Sequence, residues 1–361
     1  MESELLGKLM ANKYPCISID GRRIGVDRPP FIVAEISANH NGNIETARKI
    51  IEMAKLSGAD AVKLQTYRPD TITIDCDRED FRVNEGLWDG RTLYNLYEEA
   101  HMPWEWHAPL FEYARKLGIT IFSSPFDETA VDFLEKLDAP CYKIASFELT
   151  DLPLIKYIAA TGKPMILSTG MANAEEIQEA IEVAREGGCK ELAILHCVSG
   201  YPAPAEDYNL RVIPDMIQRF GLVTGLSDHT LSNATAIASI AMGASIIEKH
   251  LTLDRDGGGP DDSFSLEPDG LKQLCEDSRT AWESLGQVNY ERKKSEQENV
   301  IFRRSLYVVK DIRAGEIITR ENVKSIRPGF GLAPKFYEQV LGRTALLDIS
   351  FGTPLSLKDL Q

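Results

Sequence analysis

From residue 31 onward the chain alternates between two rhythms. Short apolar runs stay hydrophobic until a polar or charged residue near their end: FIVAEI (31–36), DAVKLQ (60–65), ITIFS (119–123) and PCYKIA (140–145), then PMILS (164–168), ELAILH (191–196), LVTGLS (222–227) and ASIIEKH (244–250). Between them, apolar residues recur every three or four positions, the spacing of a helix with one buried face. The stretch near 44–57 is the clearest case. Its stripe is Ala47, Ile50, Ile51 and Ala54, with Asn43 as candidate N-cap and Gly58 at its end. Further helices are predicted near 104–117, 127–137, 151–161, 208–219, 231–242 and 268–286. Another opens at Asn173, where Glu176 three residues on has capping-box spacing.

Strands that are apolar throughout and separated by helices imply a parallel sheet covered on both faces. Eight such units in about 250 residues fit a closed (β/α)8 TIM barrel of the α/β class. An open doubly wound sheet is the competing arrangement, but no GxGxxG follows the first strand. The barrel is expected over 31–286. Residues 1–30 form an N-terminal extension, with a short helix and a hairpin, CISIDGRRIGVD, turning at Asp20-Gly21. A polar linker follows the barrel at 287–300, and 301–361 reads as a small, mostly β domain rich in Gly and Pro turns. The excursion at 66–103, with Trp88, is too long for a plain connector, and such loops are usually functional.

Composition narrows the partners. The chain has 361 residues with a formal net charge of -15, which argues against nucleic acid and anionic membrane. No apolar run approaches the roughly 20 residues of a membrane span, and the N-terminus lacks a signal-type apolar core. Six cysteines without CxxC pairing suit reduced, packing thiols and a cytoplasmic location.

In such a barrel the chemistry sits where the strands end. Those ends carry Glu35, Lys63 with Gln65, Ser124, Lys143 with Ser146 and Glu148, Ser168, His196, Ser227 with His229, and Glu248 with His250. Lys143 lies between apolar neighbours, where an unpaired ammonium is costly and a bound anion would relieve the cost. The two lysines with Ser146, Ser168 and Ser227 form a candidate phosphate cradle. His229 and His250, on adjacent strands, could converge on one divalent metal such as Mn²⁺, Co²⁺, Fe²⁺ or Zn²⁺ rather than Ca²⁺. The alternative is two core histidines with satisfied polar edges. Glu35 and Glu148 are candidates for acid–base work, and Asp261 for contact with a polyol. His101 and His107 are expected in loops or on the surface, and His196 either at the rim or packed beneath it.

The motifs AEISANHNG, AVKLQT, FSSPFD, YKIASFE, LSTGM, HCVSGYP, GLSDHT, IEKH and GPD, in that order, resemble those of the sialic acid synthases. The C-terminal RAGE, ITRENV and RPGFG are similar to the antifreeze-like (SAF) domain those enzymes carry. The resemblance implies a barrel that condenses phosphoenolpyruvate with an amino sugar. It puts metal ligands on His229 and His250, and phosphoenolpyruvate contacts on Lys63, Ser124, Lys143, Ser146, Ser168 and Ser227. Acid–base and sugar contacts fall on Glu35, Gln65, Glu148, Tyr201 and Asp261. Arg327 would reach the sugar from a neighbouring subunit, implying a domain-swapped homodimer. The implied cofactor is a divalent metal, Mn²⁺ first, with Co²⁺ or Mg²⁺ as alternatives. LWDGRTLYNLYEEAHMPWEWH and FSLEP look most like the pseudaminic branch, whose sugar is 2,4-diacetamido-2,4,6-trideoxy-β-L-altrose. The N-acetylneuraminate and legionaminate branches share the mechanism, and a Schiff-base pyruvate aldolase using Lys143 is a rival chemistry. A carbohydrate-binding scaffold is the non-enzymatic alternative. One departure stands out: Ser199 replaces an asparagine of the family, two residues before Tyr201.

Overall fold

A computed structural model describes residues 14–84 and 86–361. The helix expected near the N-terminus lies outside the described residues. The chain divides after Gly286 into two compact units.

The first unit is built on eight parallel strands: β1 (Phe31–Glu35), β2 (Ala61–Thr66), β3 (Thr120–Pro125), β4 (Tyr142–Ile144), β5 (Met165–Ser168), β6 (Leu192–Cys197), β7 (Val223–Ser227) and β8 (Ile246–His250). They pair in chain order and β8 closes on β1, so the barrel and not the open sheet is formed. Eight helices alternate with them: α1 (Ile44–Ser57), α2 (Trp104–Leu117), α3 (Glu128–Lys136), α4 (Leu152–Ala159), α5 (Ala174–Glu186), α6 (Val212–Phe220), α7 (Ala234–Ala241) and α8 (Pro268–Leu285). The predicted signals act as the physics requires. The Asn43 side chain accepts from the Glu45 N–H, Gly58 ends α1 at φ 93°, and the Ala47, Ile50, Ile51, Ala54 stripe is buried. Asn173 and Glu176 close a reciprocal capping box on α5. Two boundaries shift: α6 begins at Val212 after a 3-10 turn, and α7 spans only Ala234–Ala241.

Side chains alternate across each strand, and this sorts the barrel into layers. Ile32, Ala34, Val62, Leu64, Ile194 and Leu226 belong to the large core with the helices. Phe31, Val33, Ala61, Phe122, Cys141, Ile166, Ala193, Leu195, Val223 and Ile246 form a separate apolar core inside the barrel. The hairpin strands Ile17–Ile19 and Arg22–Ile24 add Ile17, Ile19 and Ile24 to that inner core and close the amino-terminal mouth. The hairpin turns where expected, with Asp20 at φ 50° and Gly21 at φ 76°. Above the apolar layers, at the carboxyl ends, the inward positions are polar.

The 66–103 excursion holds short helices Pro69–Ile72 and Leu93–Ala100 and a 3-10 turn, Glu79–Phe81. The Leu93–Ala100 helix escaped the sequence reading because it buries only Leu96, too little for a visible stripe. Among the described residues no helix is long and apolar enough to cross a membrane.

The second unit, Gln287–Gln361, opens with 3-10 turns over Lys294–Glu296 and Glu298–Phe302. Strands β9 (Ser305–Val308) and β10 (Val323–Ile326) pair antiparallel, and bridges such as Ile312 to Ile349 and Ala345 to Leu360 tie the remaining turns together. Its own core includes Leu306, Val308, Ile318, Val323 and Leu355.

Candidate functional site

The carboxyl-terminal mouth of the barrel concentrates ionisable groups out of water. Strand register brings Glu35 beside both Lys63 and His250, and Glu248 beside Ser227. The Lys63 ammonium lies 2.6 Å from Glu35 Oε2, 3.3 Å from Ser124 Oγ and 3.7 Å from Glu248 Oε1. Lys143 Nζ donates to Ser168 Oγ at 2.7 Å and lies 3.5 Å from the same Glu248 oxygen. Ser227 Oγ completes the ring, 3.3 Å from Glu248 Oε1.

Lys143 is paired, as the cost of an isolated buried ammonium requires, but its partner here is a protein carboxylate where the sequence suggested a bound anion. Glu248, to which the sequence assigned no role, supplies the counter-charge. Around this Glu248 oxygen two buried ammoniums, Lys63 and Lys143, face two buried carboxylates, Glu35 and Glu248. Burial works against the Glu248 carboxylate, but Lys143 and Lys63 outweigh it and hold its pKa below the usual range. Burial likewise opposes the Lys63 charge, yet Glu248 and Glu35 raise it. For Lys143 burial prevails and its pKa is lowered, and burial raises that of Glu35.

A second network runs along the rim. Gln65 Nε2 donates to Glu35 Oε1 at 3.1 Å and to Ser37 Oγ at 3.0 Å. Ser37 Oγ in turn donates to Asp261 Oδ2 at 2.5 Å. Ser37 has φ 45°, in the left-handed region a serine rarely adopts. Nothing in the sequence singles it out, because its partner is 224 residues away. The loop carrying Asp261 is pinned by Asp262, which accepts from Asn41 Nδ2 at 2.9 Å and from the Gly259 N–H at 2.8 Å.

His229 and His250 do converge, with ring centroids 5.4 Å apart. His229 Nδ1 is 2.8 Å from the Val198 carbonyl, which can only accept, so Nδ1 carries a proton. Burial opposes the charged ring, but Cys197 and the Val198 carbonyl outweigh it and raise the His229 pKa, so metal ligation through Nε2 requires loss of the second proton. Its backbone N–H donates to Tyr208 Oη at 2.6 Å. His250 Nδ1 is buried with no hydrogen-bond partner and lies 3.8 Å from Asp261 Oδ2. Burial holds His250 well below the usual pKa, so its imidazole is neutral, the state that binds metal. No group of three or more His, Cys, Asp or Glu side chains able to hold a metal occurs among the described residues. The pair thus fits a cation whose other positions are filled by substrate and water. A buried Lys249–Asp228 ion pair at 2.9 Å fixes the strand and loop that carry the two histidines.

Other predicted residues separate into those present at the mouth and those elsewhere. The Tyr201 ring packs 4.5 Å from that of His229 and 5.7 Å from Trp88, whose Nε1 donates to the Pro260 carbonyl. The 66–103 excursion therefore reaches the mouth. Ser146 Oγ accepts from the Gly170 N–H at 3.2 Å. The neighbouring Ser199 Oγ is buried without a partner. A Cβ on Gly170 would collide with Ser199 Oγ and come within 2.7 Å of Ser146 Oγ, so the chain needs glycine there. Glu148 is half-buried, its Oε2 is enclosed and unpartnered, and burial pushes its pKa up to about 7. Arg327 belongs to the second unit and is exposed, directly after β10.

Two histidine expectations are corrected. His196 faces away from the barrel interior, its Nε2 2.5 Å from the Tyr208 carbonyl, and Cys197 takes the inward position. His107 is neither in a loop nor on the surface. It is buried on α2, with Nε2 2.9 Å from Thr66 Oγ1.

Comparison with known proteins gives consistent matches. The NeuB family model matches residues 50–290 and the SAF domain model residues 303–361. The pseudaminic acid synthase of Campylobacter jejuni subsp. jejuni serotype O:23/36 is 45% identical over 333 residues, covering 92% of this chain and 97% of that one. The N,N'-diacetyllegionaminic acid synthase of C. jejuni serotype O:2 is 39% identical, covering 87% and 95%. Among solved structures, the spore coat polysaccharide biosynthesis protein SpsE of Bacillus subtilis is 34% identical with a TM-score of 0.66, covering 96% of this chain and 99% of that one.

Proposed function

Because the chain belongs to the NeuB family, we propose that it is a pseudaminic acid synthase acting in the cytoplasm as a domain-swapped homodimer. It condenses phosphoenolpyruvate with 2,4-diacetamido-2,4,6-trideoxy-β-L-altropyranose and water, releasing phosphate. The observation that carries the reading is the meeting of Lys63 and Lys143 on one Glu248 oxygen beneath the His229–His250 pair. The higher identity to a pseudaminic than to a legionaminic acid synthase supports the branch.

In this reading Lys63 and Lys143, with Ser124, Ser146, Ser168 and Ser227, hold phosphoenolpyruvate as its anion displaces Glu248. Such fixed charges act strongly in a site that excludes water. Gln65, Tyr201 and Asp261 bind the sugar under Trp88, and Arg327 reaches it from the partner subunit. His229 and His250 would hold a divalent cation, Mn²⁺ with Co²⁺ or Mg²⁺ as alternatives, and when bound it would supply Lewis-acid polarisation of the sugar aldehyde. C3 of phosphoenolpyruvate then bonds to the aldehyde carbon while the aldehyde oxygen gains a proton, with Glu35 as donor. Water adds to C2 and gives its proton to Glu148. The adduct breaks its C2–O bond to phosphate while the C2 hydroxyl gives its proton to the departing phosphate, leaving the 2-keto acid.

The test is phosphate release from phosphoenolpyruvate with the altrose sugar beside N-acetylmannosamine, each with Mn²⁺ and with EDTA. Release with the altrose sugar alone, and only with Mn²⁺, is the expected result. Release with N-acetylmannosamine instead would move the chain to another branch. Borohydride trapping with pyruvate, insensitive to EDTA, would replace the mechanism by Schiff-base chemistry on Lys143.

A further inference from the structure

A cavity of about 480 Å³ opens at the amino-terminal mouth of the barrel, opposite the site described above. Four guanidinium groups line it, those of Arg22, Arg23, Arg28 and Arg279, against one carboxylate, Asp60. In a chain of net charge -15 this is a local reversal of sign.

Asp60 does not neutralise the cavity. One of its oxygens pairs with Arg22 and the other accepts from the Ile32 N–H at 2.8 Å, so it is occupied holding the hairpin to β1. Arg23 and Arg28 share the single carboxylate of Asp27, each at 3.7 Å, and Arg279 engages Glu283 through Nε. A separate observation points the same way. Ser278 Oγ, on the wall contributed by α8, is buried and has no hydrogen-bond partner. Thr280 and Ser284 on the same helix donate to the carbonyls four residues back. A buried hydroxyl left unmade costs free energy, which a ligand oxygen would restore once the Ser278 side chain turns toward the cavity.

The remaining wall is apolar, with Pro29, Pro30, Ile32 and Cys275. Guanidinium forks match phosphate oxygens two at a time and also stack on flat rings. A volume in the range of small-molecule pockets is far larger than a free phosphate needs.

We propose that this cavity binds an organic phosphate with a ring, of nucleoside monophosphate size. The phosphate lies among Arg28, Arg279 and Ser278, and the ring lies against the prolines. The ligand would clamp the hairpin to α8, where Trp282 Nε1 already donates to the Val26 carbonyl. The assignment does not depend on the reaction proposed above.

Calorimetric titration of the full chain with adenosine 5′-monophosphate, and separately with inorganic phosphate, tests it. The expected result is one adenosine 5′-monophosphate per chain, unaffected by saturating phosphoenolpyruvate, and bound about tenfold more tightly than phosphate. In the double variant Arg28→Gln/Arg279→Gln, affinity should fall at least tenfold while the circular dichroism spectrum and the cooperativity of thermal unfolding are unchanged, which shows the variant folded. Equal binding by the variant, displacement by phosphoenolpyruvate or no binding would overturn the site. Phosphate binding as tightly as the nucleotide would overturn the organic-phosphate assignment.

Discussion

Lys143 Nζ and Glu248 Oε1 lie 3.5 Å apart in the closed mouth of the barrel, both out of water, and the same oxygen is 3.7 Å from Lys63. One carboxylate thus occupies the position between the lysines that the proposed phosphoenolpyruvate phosphate would take. Breaking a buried pair by removing one partner costs roughly 3 kcal/mol or more, because a charge is left uncompensated. Glu248→Gln should therefore melt well below the wild type and recover disproportionately when phosphate is added. Thermal melts with and without phosphate check this. Equal phosphate shifts in both proteins would show that Glu248 does not stand in for the anion.

Glu148 gives the site a pH dependence. Its carboxyl is pushed up to about 7 by burial, so as a general base it is competent only once deprotonated. Turnover should rise with pH through about 7, and Glu148→Gln should lower it and flatten that limb. Stability has the opposite sign. Between the ordinary carboxylate pKa and about 7 the folded state holds more protons than the unfolded state, so stability falls as pH rises. Glu148→Gln should then be more stable than the wild type at pH 8, by about 3 kcal/mol, with the difference vanishing near pH 4. Parallel melts at the two pH values decide it.

His250→Ala removes one of the two imidazoles that converge at the mouth. The variant should lose both turnover and stoichiometric Mn²⁺ binding, the latter read by calorimetry without substrate. Retained Mn²⁺ affinity would mean that the ion is held elsewhere.

Trp88→Ala should act on the sugar alone. Its ring lies against Tyr201 and its Nε1 anchors the Pro260 carbonyl of the Asp261 loop. A rise of about tenfold in KM for the sugar, worth about 1.4 kcal/mol, with KM for phosphoenolpyruvate unchanged, is the expected split. A matching loss for both substrates would point to a general loosening of the mouth.

The sequence by itself determined the eightfold repeat, its helix caps and the polar strand ends. These are local matters: the Asn43 cap and the Asn173–Glu176 box each close within three residues, and an apolar run is readable wherever it lies. Tertiary structure decided which of two adjacent residues faces the mouth. Side chains alternate along a strand with period two, so a one-residue uncertainty exchanges the faces. That is why Cys197 and not His196 points inward. It also decided every partner brought from another strand. Glu248 as counter-ion to Lys63 and Lys143, and Ser37 beneath Asp261, join residues roughly a hundred to over two hundred positions apart. Such pairings exist only once the barrel closes, because closure alone sets β8 against β1 and aims all eight strand ends into one enclosed volume.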